Sequence, residues 1–470
     1  CLLAWDEIGH AANPDMTINN WSRFAAAARE RDQESTSPGT DGARDSGSPH
    51  VPTRQAHSQL EELIRQPRRI EILLRIFSSS YYLSQVLVKR PDLFLWITDP
   101  HTLAPRRSDA EYRKAFKATA GPQMSAQHTS AEQMAIHLRA FKTAEILRIG
   151  VRDMCADARL ETVTQELSAL ARFCISTIID RCLEHEHLEP GSLIVLGFGK
   201  LGGNELNYSS DVDLLAILPE PRSSDAVSRY ARAFQTASRL IADRSVEGFL
   251  YRVDHRLRPH GSSGPLINSL ERALDYYRKE AGLWEHQALL KLGRVAGDID
   301  PATRTLQSLH ALLHTPREAE AVRMSVRHMR RHSVKISATD GKPDVKNGAG
   351  GIRDIEFPVQ ALQLIHAHEH PNLLCSNTLE AITLLQDAGI LGEAQARELA
   401  ADYRFLRRIE HFLQIYEDRQ VHALADSDQE YRRLAERMEI KVENPSEVQA
   451  RISEVMLRVR GHYRDIIGGV

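Results

Sequence analysis

Residues 192–219 read SLIVLGFGKLGGNELNYSSDVDLLAILP. Leu193, Ile194, Val195 and Leu196 form a short, unbroken apolar run, the pattern of a buried strand. Gly197, Gly199, Gly202 and Gly203 follow closely, where the backbone can bend sharply and approach a ligand. Asp211 to Leu218 reads as a second strand. Side chains alternate across a strand, so Asp211 and Asp213 share a face. Two close carboxylates repel unless a cation lies between them. Hard oxygen donors of this kind suit Mg²⁺ held together with phosphate. The segment Gly197–Gly202 also matches G-x-G-x-x-G. That fingerprint needs a helix opening at its last glycine and an acidic residue about twenty positions on. Here Asn204, Asn207, Ser209 and Ser210 intervene, and Gly203-Asn204 is a turn signal. The stretch therefore reads as a strand–turn–strand hairpin rather than a dinucleotide unit. A plain hairpin with solvated aspartates is the simpler alternative. Acids on an otherwise apolar strand weigh against it, because burying unpaired charge is costly.

A second stretch, Phe249 to Arg258 (FLYRVDHRLR), reads as a strand ended by Pro259. Arg252, Asp254, Arg256 and Arg258 alternate onto one face, and Tyr251, Val253, His255 and Leu257 onto the other. One carboxylate among guanidiniums, beside two further aspartates, fits a site for a metal and a polyphosphate. The acid completes the metal cage and the arginines neutralise phosphate oxygens. An exposed face with internal Asp–Arg pairing is the plainer reading, and contributes little.

The segments GFGKLGGNELNYSSDVDLL (197–215), YRVDHRLRPHGSSGPL (251–266), LWEHQALLK (283–291) and KNGAGGIRDIEF (346–357) carry a resemblance. The chain resembles the glutamine synthetase adenylyltransferase/adenylyl-removing enzyme family, within the nucleotidyltransferase superfamily, from about Ile70 to about Leu434. That superfamily pairs Gly-Ser or Ser-Ser with Asp-x-Asp and a later third Asp. The family carries two such modules in tandem, and this sequence resembles one. The resemblance implies Asp211, Asp213 and Asp254 as catalytic metal ligands for Mg²⁺. Lys200, Gly202, Gly203, Ser209, Ser210, Arg256 and Arg258 are then expected around the phosphates. It implies ATP, or ADP and phosphate, as substrates and glutamine synthetase as partner, and it admits the PII signalling protein as a second. GGIRDIEF and RRIEHFLQ (407–414) resemble the N-terminal, AMP-removing module, so removal is the preferred direction. ATP-dependent transfer, another acceptor, and a non-catalytic regulatory binding module stay open.

The expected fold is α+β and predominantly helical, a small mixed sheet flanked by helical domains. A poorly ordered segment and linker are expected over 1–54, a helical domain over 55–188 and the nucleotidyltransferase domain over 189–298. A helical connection over 299–345 and a C-terminal helical bundle over 346–470 complete the chain. A chain of 470 residues has ample length for such a core. Formal net charge is −3, with no basic field of the kind nucleic acid attracts. No apolar run reaches membrane-spanning length. The five cysteines show no close pair or zinc spacing, which is compatible with a cytoplasmic protein. Residues 1–15 lack a signal-peptide pattern, and Glu34–Ser48 has linker composition.

Helices are expected over Ser130–Met154, Leu160–Glu186, Ala226–Asp243 and, as one element, Leu274–Leu292. Trp284 reads as core rather than as a platform for a base. Arg323, Arg327, Arg330 and Arg331 read as a solvated basic face. Pro358 is expected in the first turn of a helix, and Asp354 as its cap or a substrate-orienting group.

Overall fold

A computed structural model describes residues 13–36, 66–103, 106–120, 129–155, 158–245, 248–336, 343–417, 421–424, 427–438, 440 and 444–468. The hairpin is present. Strand β1 (Ile194–Gly197) pairs antiparallel with β2 (Asp211–Leu218). Helix formation before the sheet follows apolar spacing: α1 (Pro14–Thr36), α2 (Pro67–Ser79), α3 (Tyr81–Lys89), α4 (Asp109–Ala120), α5 (Ala131–Cys155) and α6 (Leu160–His185). The Ser80 hydroxyl caps α3 by accepting the Leu83 amide.

Between the strands of the hairpin lies α7, a single turn at Gly199–Gly202, where the sequence suggested only a loop. After β2 comes α8 (Ser224–Ala242), whose Tyr230, Ala233, Phe234, Ala237, Leu240 and Ile241 repeat at helical spacing and are buried. Strand β3 (Arg252–Asp254) runs parallel to the start of β2, and β4 (Ile267–Ser269) runs parallel to its end. Helix α9 (Leu270–Lys279) and helix α10 (Leu283–Leu289) follow, with a break at Glu280–Gly282 in place of the single helix expected. Strand β5 (Gly293–Ala296) closes the far edge against β1. The β-β-α-β order expected from the sequence is thus extended into a mixed five-stranded sheet.

Alternation along β1 and β2 divides two cores. Val195, Val212, Leu214, Ala216 and Leu218 join the N-terminal helices in one apolar cluster. Ile194, Leu196, Leu215 and Ile217 join a second cluster built with α9, α10, α11 (Ile299–His310), α12 (Ala319–Ile336) and α13 (Arg353–His366). Asp211 and Asp213 are in phase with this second set, so the acid pair faces away from the N-terminal helices. The remaining helices, α14 (Thr378–Asp387), α15 (Glu393–Glu417), α16 (Asp428–Met438) and α17 (Pro445–Ile467), form a bundle with α13 around a third core.

Three further expectations change. Pro14–Thr36, inside the stretch read as poorly ordered, is a helix with Phe24 and Ala28 buried against its neighbours. The rest of Glu34–Ser48 lies outside the described residues, as do residues 55–65 of the expected helical domain. Of the α12 arginines read as a solvated face, only Arg331 is exposed. Arg330 is buried against Asp354, while Arg323 and Arg327 donate to the Ile466 and Ile467 carbonyls at the end of α17. Pro358 lies in the second turn of α13 rather than its first.

Among the described residues, no helix is long and apolar enough to cross a membrane.

Candidate active site

The register of β2 and β3 pairs Asp211 with Arg252 and Asp213 with Asp254. Period-two alternation then puts Val212 and Val253 on the other face, in the N-terminal core. Three carboxylates and one guanidinium thereby lie on one face at one end of the sheet. Arg252 Nε donates to Asp211 Oδ1 at 2.5 Å, and its Nη2 donates to the Ser209 carbonyl at 3.0 Å and hydroxyl at 3.2 Å. Arg256 grips Asp254 through Nε to Oδ2 at 2.8 Å and Nη2 to Oδ2 at 2.5 Å. That grip holds the Asp254 carboxyl below its ordinary range, against a weaker effect of burial.

Asp213 differs from both. Among the described residues its carboxylate has no ion pair. Burial, then the charges of Asp254 and Asp211, push it up to about 6. A half-buried carboxylate between two others is a hard-oxygen donor whose repulsion a divalent cation would relieve. The cage is not closed, however. Among the described residues no three acids, histidines or cysteines stand gathered as a metal-holding group. Arg252 holds Asp211 and Arg256 holds Asp254. Both arginine pairs reach solvent, so both can open at small cost.

The strand expected over Phe249–Arg258 ends at Asp254. The Asp254 carboxylate accepts the Arg256 amide at 2.8 Å, turning the chain out of the ladder. Arg256 consequently reaches the acids through the turn, with its side chain 81% exposed. Arg258 lies beyond the strand, in the turn that follows it. It donates to the carbonyls of His255, Ser262 and Gly264 and staples the following loop.

The glycine-rich turn also departs from expectation. The amides of Gly202 and Gly203 donate within the turn, to Phe198 and Gly199. A Cβ at Gly202 would lie 2.0 Å from the Lys291 carbonyl and 2.3 Å from that of Gly197, so close backbone packing requires glycine there. The Ser209 amide donates to Gln414 Oε1 at 3.2 Å, and the Ser210 hydroxyl accepts the Asn207 amide at 3.2 Å. Lys200 lies under Glu410, at 2.8 and 2.7 Å to its two oxygens. These bonds hold the turn together and tie it to Gln414 and Glu410.

What seizes the turn is α15, which the sequence reading left without chemistry. Arg407 Nη2 donates to the Glu205 carbonyl and to Asn207 Oδ1, both at 2.6 Å. His411 Nε2 reaches the same Asn207 oxygen at 2.9 Å. Glu205 in turn pairs with Lys291 and accepts the Thr378 amide at 2.6 Å. Glu410 is fully buried and also faces Arg407 at 3.3 Å, His422 at 3.4 Å and Lys346 at 3.8 Å. Burial pushes its carboxyl up, yet Lys200, Lys346 and Arg407 hold it far below the usual range. The signal available in the sequence was RRIEHFLQ itself, four polar groups at helical spacing among apolar ones.

Two further residues are reassigned. Asp354 accepts the Gly350 amide at 2.6 Å and pairs with Arg330, a structural role. Trp284, expected in the core, is 46% exposed at the second position of α10, beside Gly282.

Comparison with known proteins locates this fold. Residues 70–308 match the family described as glutamate-ammonia ligase adenylyltransferase, and residues 296–467 match that described as GlnD PII-uridylyltransferase. The chain is 32% identical over 394 residues to a bifunctional glutamine synthetase adenylyltransferase/adenylyl-removing enzyme of Nitrosococcus oceani, covering 80% of this chain and 40% of the relative. The protein of the same name from Streptomyces avermitilis is 32% identical over 392 residues, 82% of this chain and 38% of its own. A third, from Hahella chejuensis, is 32% identical over 418 residues, 84% and 42%. The chain thus spans about two fifths of the length of the curated relatives it matches.

Proposed function

We propose, because the chain belongs to the glutamate-ammonia ligase adenylyltransferase family, that it is a nucleotidyltransferase module controlling glutamine synthetase through AMP on a tyrosine. The preferred direction is removal. An oxygen of inorganic phosphate attacks the AMP phosphorus, the bond from phosphorus to the tyrosine oxygen breaks, ADP leaves, and the phenolate takes a proton. ATP-dependent transfer to the same tyrosine, with pyrophosphate leaving, uses the same groups.

The carrying observation is the strand register that sets Asp213 beside Asp254 and Asp211 beside Arg252. Asp211, Asp213 and Asp254 would hold Mg²⁺. The ion, when bound, would offset charge on the phosphate oxygens and orient them for in-line displacement. Arg252 and Arg256 would pass from the carboxylates to substrate phosphate once the cation takes their place, since a guanidinium suits either anion. Ser209 and Ser210 border that space. Lys200, Gly202, Gly203 and Arg258 are assigned to holding loops in place.

We also propose the domain division given from the sequence, with its boundary near 298 supported by the meeting of the two family matches. The PII signalling protein is proposed as a second partner, supported by the match over 296–467 to a family whose description names PII.

The test incubates the purified chain and Mg²⁺ with unmodified glutamine synthetase plus ATP, and separately with adenylylated glutamine synthetase plus phosphate. Mass spectrometry follows AMP on the tyrosine. Loss of AMP with ADP formed, in the second mixture only, is the expected result. Gain of AMP in the first reverses the direction and keeps the site. No change in either mixture, with PII and glutamine supplied, overturns the reading.

A further inference from the structure

Arg407, Glu410, His411 and Gln414 recur at intervals of three, one and three residues, so they form one stripe of α15. All four are buried. The adjoining side of the helix, through Leu406, Ile409 and Leu413, belongs to the core of the C-terminal bundle. A polar stripe is an expensive way to pack a helix. Taking charges out of water costs several kcal/mol per ion, and apolar side chains of similar volume often serve stability as well or better. The stripe touches the glycine-rich turn at its backbone and polar atoms in chain order: Lys200 by Glu410, Glu205 and Asn207 by Arg407, Asn207 by His411, and Ser209 by Gln414.

The last of these contacts leads to the acids. Gln414 fixes the Ser209 amide, Ser209 accepts Arg252 through its carbonyl and hydroxyl, and Arg252 holds Asp211. Ser209 stands two residues before Asp211, so the position of its backbone sets where β2 begins. We propose that Gln414, with Arg407 and His411, is a positioning residue of the reaction: α15 sets the start of β2 and thereby the spacing of Asp211 and Asp213 for a divalent cation. The proposal rests on the reading of the aspartates as metal ligands.

Gln414→Met removes the acceptor at nearly constant volume, and Gln414→Glu restores it. Ser80→Ala is the control. It frees the Ile415 carbonyl on another side of the same helix, where the Ser80 hydroxyl donates at 2.6 Å, without touching the turn. Mn²⁺ affinity of the full chain and amide hydrogen exchange over residues 199–211 are measured for each. Q414M is expected to weaken Mn²⁺ binding about tenfold and to quicken exchange over 199–211, with exchange in α5 unchanged. Q414E is expected to recover most of both, and S80A to leave Mn²⁺ affinity as in the parent chain. Affinity of Q414M within twofold of the parent overturns the proposal, as does equal weakening in S80A. Gln414→Ser replaces Q414M, with the same expectations, should that variant fail to fold. A parent chain that binds no Mn²⁺ refutes the metal reading instead. The exchange arm then still decides whether α15 positions the turn.

Discussion

Two charged clusters meet in the segment 200–213 and behave oppositely. One is the open edge of the sheet, with Asp211, Asp213, Asp254, Arg252 and Arg256. The other is the enclosed contact between the glycine-rich turn and α15, with Lys200, Glu205, Lys291, Arg407 and Glu410. Their compositions are alike. In the first, Asp211 and Arg252 are 43% and 35% exposed, and Asp213 has no ion pair among the described residues. In the second, Glu410 and Arg407 are sealed and every carboxylate is matched. The lesson is that solvent access decides whether a charge cluster is available for chemistry or committed to shape. Water and incoming ions compete for the first set of pairs, and nothing competes for the second.

Substitutions can break this contrast. The largest effect is expected from Glu410→Ala, which leaves Lys200 buried and uncompensated. Loss of one partner from such a pair costs about 3–5 kcal/mol, to be read as a lower thermal midpoint of the whole chain. A midpoint near that of the parent would mean the enclosed cluster is no more committed than the open one. Asp213→Asn is expected to do the reverse. Turnover should fall on the order of 10³-fold, through loss of several kcal/mol of transition-state stabilisation. The thermal midpoint should hold or rise, because a like-charge repulsion disappears. A D213N chain that loses midpoint and turnover together would place Asp213 with the structural set.

Acid sharpens the comparison at the next level. Burial pushes His411 down to about 3 and His422 down to about 4. In the unfolded chain each titrates near 6.5, so the unfolded state binds more protons across the interval between. Stability is therefore fully present above about 6.5 and lost as pH falls through that interval. His411→Gln keeps a donor for Asn207 and removes the titration. It should spare about 1–2 kcal/mol of the loss between pH 7 and 5, measured by denaturant unfolding at both values. An unchanged loss would show that His411 is protonated in place. The smallest effect is expected from Arg252→Ala. An exposed pair contributes less than about 1 kcal/mol, so midpoints should barely move. Mn²⁺ affinity should rise by no more than about fivefold, as a competitor for Asp211 is gone.

Much of the open cluster was legible because its information is local. Alternation along DVDLLAIL puts both aspartates on one face, and the glycine-rich spacer announces a hairpin. Pairing of β3 with β2 follows from the βαβ order once α8 is recognised. The end of β3 was overrun because the Asp254–Arg256 turn depends on a side chain bonding to a backbone amide two residues on, a geometry that period-two patterning does not carry. Trp284 was misplaced because the break at Glu280–Gly282 restarts the helix and turns its first residues outward. The enclosed cluster was illegible for another reason. Its bonds between the turn and α15 join positions 200 to 210 residues apart, such as Lys200 with Glu410 and Arg407 with Asn207. A buried polar stripe and a solvated one look the same until the partner segment is known.

The reach of those bonds has a consequence during synthesis. Translation proceeds at about 5–20 residues per second. The Ser209 amide and its acceptor Gln414 are 205 positions apart, so about 10–40 s separate their appearance on the ribosome. Over that interval the N-terminal helices and the hairpin can assemble around their own apolar core. Lys200, Glu205 and Asn207 still lack the counterparts that α15 brings. The glycine-rich turn would then be the last part of the hairpin to settle, finished by a helix made long after its strands.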